Sequence, residues 1–149
     1  MARGVIVGTR DAERAEVATW GGTWDVVPPK VAREVGAQLF RVHGAAAMML
    51  EKVPTWFFNR VVGLGVEQPV NEGELDELIA LYRDRRLPVA ISLCPDAEPS
   101  ALGGWLVDRG FREENRWVRW FAVLSHLERF APTSASSARR RRTSPPCVI

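Results

Sequence analysis

The run Gln38-Leu39-Phe40-Arg41-Val42-His43-Gly44-Ala45-Ala46-Ala47-Met48-Met49-Leu50 decides the fold. Its first half alternates in part between apolar and polar residues, Gly44 supplies a turn, and Ala46 to Leu50 runs back. Such alternation broken by a turn residue reads as a β-hairpin. Pro54-Thr55 interrupts the pattern before Phe58-Asn59-Arg60-Val61-Val62-Gly63-Leu64-Gly65-Val66. After its start that segment is apolar on both sides, as expected of a strand in the sheet interior. Gly63 and Gly65 inside it suit a strand bend or close backbone packing.

Upstream, Asp11 caps a helix from Ala12 to Trp20, and Gly21-Gly22 is expected to end it. Pro28-Pro29 opens a second short helix through Val35, closed near Gly36. Downstream, Asn71 with Glu74 three residues later makes a capping-box pattern. Leu75, Leu78, Ile79 and Tyr82 then fall on one stripe of a helix. Pro88 ends that helix and opens a short buried strand, Val89 to Leu93. A further helix follows Pro95-Asp96, with Leu102, Trp105 and Leu106 inward and Gly110 as its stop. Phe111 is expected to begin a last strand through Phe121.

The chain has 149 residues, 46% hydrophobic and 26% charged, enough for one domain with a real core. No apolar run approaches the roughly 20 residues of a membrane span. The opening Met1 to Arg10 is too brief and too soon charged for a secretory leader, so a cytoplasmic location is expected. Cys94 and Cys147 with His43 and His126 cannot build a disulfide framework or a zinc site. The formal charge of +2 comes from Arg139-Arg140-Arg141-Arg142, without which the remainder is at −2. The core therefore has no basic surplus to suggest nucleic acid. Residues 126–149 are mostly Ser, Thr, Ala, Pro and Arg and are expected to be a disordered tail, leaving 1–125 as the domain.

The expected order is helix, helix, strand, strand, strand, helix, strand, helix, strand, in an α/β (α+β) fold with helices on both faces of a mixed sheet. That order resembles the GNAT N-acetyltransferase family. Ala101-Leu102-Gly103-Gly104-Trp105-Leu106-Val107-Asp108-Arg109-Gly110-Phe111 is similar to the family's late helix and its Gly-Phe turn. Phe57 to Gly65, and Gly104-Trp105-Leu106 to Arg116-Trp117-Val118, look like the N-terminal half of tandem-GNAT proteins. The resemblance covers roughly residues 30–121. It implies transfer of an acetyl group from acetyl-CoA to an amine acceptor.

The family holds the coenzyme pyrophosphate on Arg/Gln-x-x-Gly-x-Gly/Ala at a helix N-terminus, where N–H groups and the helix dipole meet the phosphates. Here that place reads Glu67-Gln68-Pro69-Val70-Asn71-Glu72-Gly73-Glu74. Pro69 lacks an N–H, and three glutamates would repel phosphate. Where many members carry a tyrosine acid, this chain has Leu106. The only tyrosine, Tyr82, belongs to the apolar stripe. The domain thus looks degenerate, and no catalytic or acetyl-CoA-binding residue is assigned. In tandem proteins a downstream domain commonly holds acetyl-CoA, and on this resemblance the chain is expected to stop before that domain begins. A truncated product and a natural short protein both fit, as do a weak acyltransferase and a non-catalytic interaction module.

Trp56, Phe57 and Phe58 could line a pocket for a small amine acceptor that Asn59 orients; packing of the sheet against the first helices explains them equally. Trp117, Trp120 and Phe121 could form an uncovered face for self-association or the missing second domain. The remaining polar residues have plain readings. His43 is a turn histidine without a visible partner, Cys94 a buried thiol, and Asp96 and Glu98 are helix-start acids.

Overall fold

The computed structural model describes residues 7–119. Helices α1 (Thr9–Asp25) and α2 (Pro29–Val35) precede strands β1 (Ala37–Val42), β2 (Ala45–Leu50) and β3 (Arg60–Val62). Helix α3 (Glu72–Arg83), strand β4 (Ala90–Ile91) and helix α4 (Leu102–Asp108) follow. The architecture is α+β, with a four-stranded mixed sheet in the order β1-β2-β3-β4. β1, β2 and β3 form an antiparallel meander, and β4 joins β3 in parallel after the α3 crossover.

The hairpin forms where the alternation places it. Val42 pairs with Ala45, and the two residues between, His43 (φ 50°) and Gly44 (φ 81°), are both left-handed. Two positive φ values in a two-residue loop make the turn whose twist matches the strands. β2 is buried on both faces. Ala45, Ala47 and Met49 join Val61, Leu75, Leu78 and Tyr82 in one cluster, which also takes Leu102 and Leu106 of α4. Ala46, Met48 and Val62 form the other, under Val17, Trp20 and Trp24 of α1. Each fully buried Leu or Met side chain contributes about 1.5–3 kcal/mol, so these two layers carry the fold.

α3 follows its sequence signals closely. The Asn71 side chain accepts from Glu74 N–H at 3.0 Å, and Glu74 accepts from Asn71 N–H at 2.9 Å. Leu75, Leu78 and Tyr82 face the core. Buried Tyr82 donates its hydroxyl toward the carbonyls of Met48 (2.9 Å) and Arg60 (3.3 Å), fixing α3 to β2 and β3.

Three expectations are corrected. α1 does not stop at Gly21-Gly22 but runs on to Asp25. Two glycines cost a helix roughly 1 kcal/mol each, and docking of Trp20 and Trp24 on the sheet outweighs that. A Cβ at Gly21 would meet only the tip of the exposed Arg41 side chain, at 2.9 Å from Nη1, which that side chain can relieve by moving. β3 is shorter than 58–66, because Gly63 turns out of the strand at φ 81° and a Cβ there would lie 2.4 Å from Val17. Phe111–Arg119 forms no strand. Two of its ion pairs are local, Arg112 with Glu114 and Arg116 with Glu113, while Arg119 reaches back to Glu13 and Glu16 of α1. The rest of that expected strand, the 125 boundary and the 126–149 tail lie outside the described residues. Among the described residues, no helix is long and apolar enough to cross a membrane.

Candidate binding site around Arg60

The sequence-predicted ring cluster assembles at the start of β3. Phe57 stands edge-on to Phe58 at 5.2 Å and to Trp56 at 6.0 Å between ring centres. α1 adds Trp20, 6.0 Å from Phe57, and Trp24, 6.5 Å from Phe58. The edge-to-face contacts of Phe57 with Trp20, Trp56 and Phe58 are favourable because a ring edge is positive and its face negative. Trp56 is exposed, and Phe57 and Phe58 are half-buried.

The cluster surrounds a cation from the chain itself. The Arg60 guanidinium lies 5.1 Å from the Trp20 ring centre, 5.6 Å from Trp117 and 5.9 Å from Phe57. It donates to Ser92 Oγ at 3.1 Å and stands 3.6 Å from Glu16. Arg60 Nε is buried with no hydrogen-bond partner. Burial lowers the pKa of Arg60, with Arg119 acting in the same direction and Glu16 and Glu13 opposing. The group remains a cation, since an arginine starts far above neutral pH.

A second layer of charge lies beneath. Glu13 is fully buried, and its Oε1 accepts the Gly63 N–H at 2.9 Å. Its Oε2 is 3.0 Å from Arg119 Nη1, close enough for an ion pair but out of line for a hydrogen bond. Arg119 also pairs with Glu16. Two carboxylates from one face of α1 thus hold Arg60 and Arg119.

Asn59 departs from its expected role of orienting a substrate. It is fully buried; its Oδ1 accepts Leu50 N–H at 2.9 Å, and its Nδ2 donates to Val53 and Thr55 carbonyls, each at 2.9 Å. Its amide braces the loop between β2 and β3, so both its acceptor and its donor are already engaged. Sequence reasoning missed Glu13, Glu16, Trp20, Arg60 and Arg119. One signal was available: Glu13, Glu16, Trp20 and Trp24 recur at helical spacing, putting acids and large rings on a single stripe.

His43 does have a partner, since its Nε2 lies 3.3 Å from Glu74 Oε1. No cluster of three or more potential metal ligands occurs among the described residues. A half-open pocket of about 200 Å³ lies between Arg14, Val17 and Ala18 of α1 and Gly63, Val66 and Glu67 after β3. Arg14 and Glu67 close its rim with an ion pair.

The α3 N-terminus is the natural place for an anion, and here it is occupied by the chain's own groups. Glu74 takes the Asn71 N–H, and Asn71 takes the Glu74 N–H. Val70 N–H donates to Glu98 O at 3.1 Å, and Glu98 N–H donates to Gly65 O at 2.7 Å. Pro69 offers no donor, and Glu67 and Glu72 add negative charge. These residues do not fit a pyrophosphate. Compared with protein-family models, curated proteins and solved structures, the chain gives no match.

Proposed function

We propose that this chain is a GNAT-like acyltransferase scaffold that acts as a non-catalytic binding module. The antiparallel meander, the helical crossover and the parallel fourth strand support the resemblance. The family reaction moves an acetyl group from acetyl-CoA to an amine, which requires the coenzyme to be held against the acceptor. The observation that carries the module reading is the self-capped start of α3, where Asn71 and Glu74 satisfy each other's N–H groups. Three acidic side chains around that point oppose a pyrophosphate. The ring cluster likewise presents its faces to Arg60 rather than to an incoming amine. We therefore assign no catalytic residue and no acetyl-CoA site.

Calorimetric titration of acetyl-CoA into the purified chain tests this. The expected result is no saturable heat and no shift in melting temperature up to millimolar coenzyme. Saturable binding at micromolar concentration would restore the enzyme reading.

A further inference from the structure

The half-open pocket of about 200 Å³ under α1 has an apolar floor and a charged mouth. Val17, Gly63 and Val66 form the floor, and Gly63 and Val66 are buried. The backbone groups of Gly63 are already engaged. Its N–H donates to Glu13 Oε1 at 2.9 Å, and its carbonyl accepts from Val66 N–H at 3.2 Å. Such a floor offers an alkyl group burial and asks for no polar partner. Arg14, Ala18 and Glu67 stand exposed at the mouth.

The charged groups at the mouth are only half used. Arg14 Nε donates to Glu67 Oε1, and Arg14 Nη1 donates to Asp11 Oδ1 at 3.3 Å. Among the described residues, Arg14 Nη2 donates no hydrogen bond and Glu67 Oε2 accepts none. A spare guanidinium arm beside a spare carboxylate oxygen can take one incoming charge of each sign while their own pair stays intact.

We propose that this pocket binds a free aliphatic α-amino acid of about the size of leucine. The ligand carboxylate accepts from Arg14 Nη2, its ammonium donates to Glu67 Oε2, and its side chain lies against Val17, Ala18 and Val66. Size and charge choose this class. The volume equals that of about seven waters at ~30 Å³ each, and falls below the roughly 300–1,000 Å³ of sites for larger ligands. That excludes a nucleotide or a coenzyme and admits a metabolite of a few heavy atoms. A plain carboxylate would meet Glu67 and Asp11 as like charges, and a plain amine would meet Arg14. A zwitterion alternates with the mouth, so each charge faces its opposite. Only a free amino acid carries both charges on one carbon beside an alkyl group.

This goes beyond the module reading, since the pocket holds its ligand whether or not acetyl-CoA binds elsewhere. Calorimetric titration of L-leucine into the full chain is the test, with the Gly44 and Gly63 amide resonances followed by NMR. Saturable one-to-one binding by about 5 mM leucine is expected, with both resonances shifting. L-Leucinamide lacks the carboxylate and isocaproate lacks the ammonium, and each is expected to bind at least about tenfold more weakly. Arg14→Gln and Glu67→Gln are expected to weaken leucine binding by a similar factor. Both positions are exposed, where losing one ion pair leaves the fold intact. Ala18→Phe fills the mouth from the exposed side of α1 and is expected to abolish binding at an almost unchanged melting temperature. No saturable binding by about 5 mM leucine overturns the proposal. So does leucinamide or isocaproate binding as tightly as leucine, or leucine binding that survives Ala18→Phe. Acetyl-CoA titration is read separately: a chain that binds neither ligand refutes the pocket alone, and one that binds both refutes the module alone.

Discussion

Arg60 from β3 lies with its guanidinium 5.1 Å from the ring centre of Trp20 on α1, and its side chain is only 6% exposed. A cation is desolvated there at a cost of several kcal/mol, offset by Glu16, by the Ser92 hydroxyl and by three ring faces. The contact joins the first helix to the third strand and to Trp117 near the end of the described chain.

Replacing Arg60 should therefore be severe. Arg60→Met leaves Glu16 with Arg119 alone and removes the cation from the rings, at a cost of about 3 kcal/mol. Arg60→Lys keeps the charge but loses the planar stacking, and should still cost about 1–2 kcal/mol. Urea unfolding at neutral pH measures both. Near-wild-type stability in Arg60→Met would show that the cluster contributes no net stability.

Tyr82 predicts an alkaline weakness. Burial raises its pKa above the ordinary 10.0. The folded state holds the phenol proton more tightly than the unfolded state does. Its contribution is complete below about pH 10 and declines as pH rises above that value. Tyr82→Phe also loses the hydroxyl contacts to Met48 and Arg60, costing about 1 kcal/mol at pH 7. Melting curves from pH 7 to 11 should show the two proteins converging at the alkaline end. A constant gap would count against the burial argument.

Asn59 is read as a brace, with a measurable consequence. Asn59→Ala strands the Leu50 N–H and takes one of two donors from each of the Val53 and Thr55 carbonyls, which keep the Thr55 and Asn59 backbone N–H groups, costing about 1–3 kcal/mol. Asn59→Asp keeps the acceptor for Leu50 but buries a carboxylate whose second oxygen faces the Val53 and Thr55 carbonyls, and should cost at least as much as Ala. Hydrogen exchange should quicken first at residues 50–55. Wild-type stability in both variants would return Asn59 to the candidates for a binding role.

Gly63 tests the turn that ends β3. Gly63→Ala combines a φ of 81° with a Cβ placed 2.4 Å from Val17. The left-handed backbone alone costs about 1 kcal/mol, and the clash adds to it. We expect a loss of about 2–3 kcal/mol. Val17→Ala in the same chain should relieve part of it, read by the same unfolding curves.

Legibility tracked how local each signal was. The start and buried stripe of α3 were readable because Asn71, Glu74, Leu75, Leu78 and Tyr82 state them within a dozen residues. The hairpin was readable from one turn residue between apolar runs. The end of α1 was not, because local glycine cost lost to the docking of Trp20 and Trp24 on residues far along the chain. The absent strand over Phe111–Arg119 shows the converse, since strand-like residues need a neighbour to pair with. At the candidate site the rings were visible, but Asn59 was misread. Its partners are backbone groups of Leu50, Val53 and Thr55, which carry no sequence signature. Arg60 and its acids were missed because a charge amid apolar residues declares its counter-ions only in three dimensions.

β2 lies between two wholly apolar clusters, one beneath α1 and one beneath α3 and α4. Neither layer can be dispensed with, since stripping one would wet a ribbon built of alanine and methionine. Tolerance to change should accordingly be graded from the margins inward: permissive along the outer rim of β1 and beyond α2, and strictest at Ala46, Ala47 and Met48, where even one added methyl has no vacant space to enter.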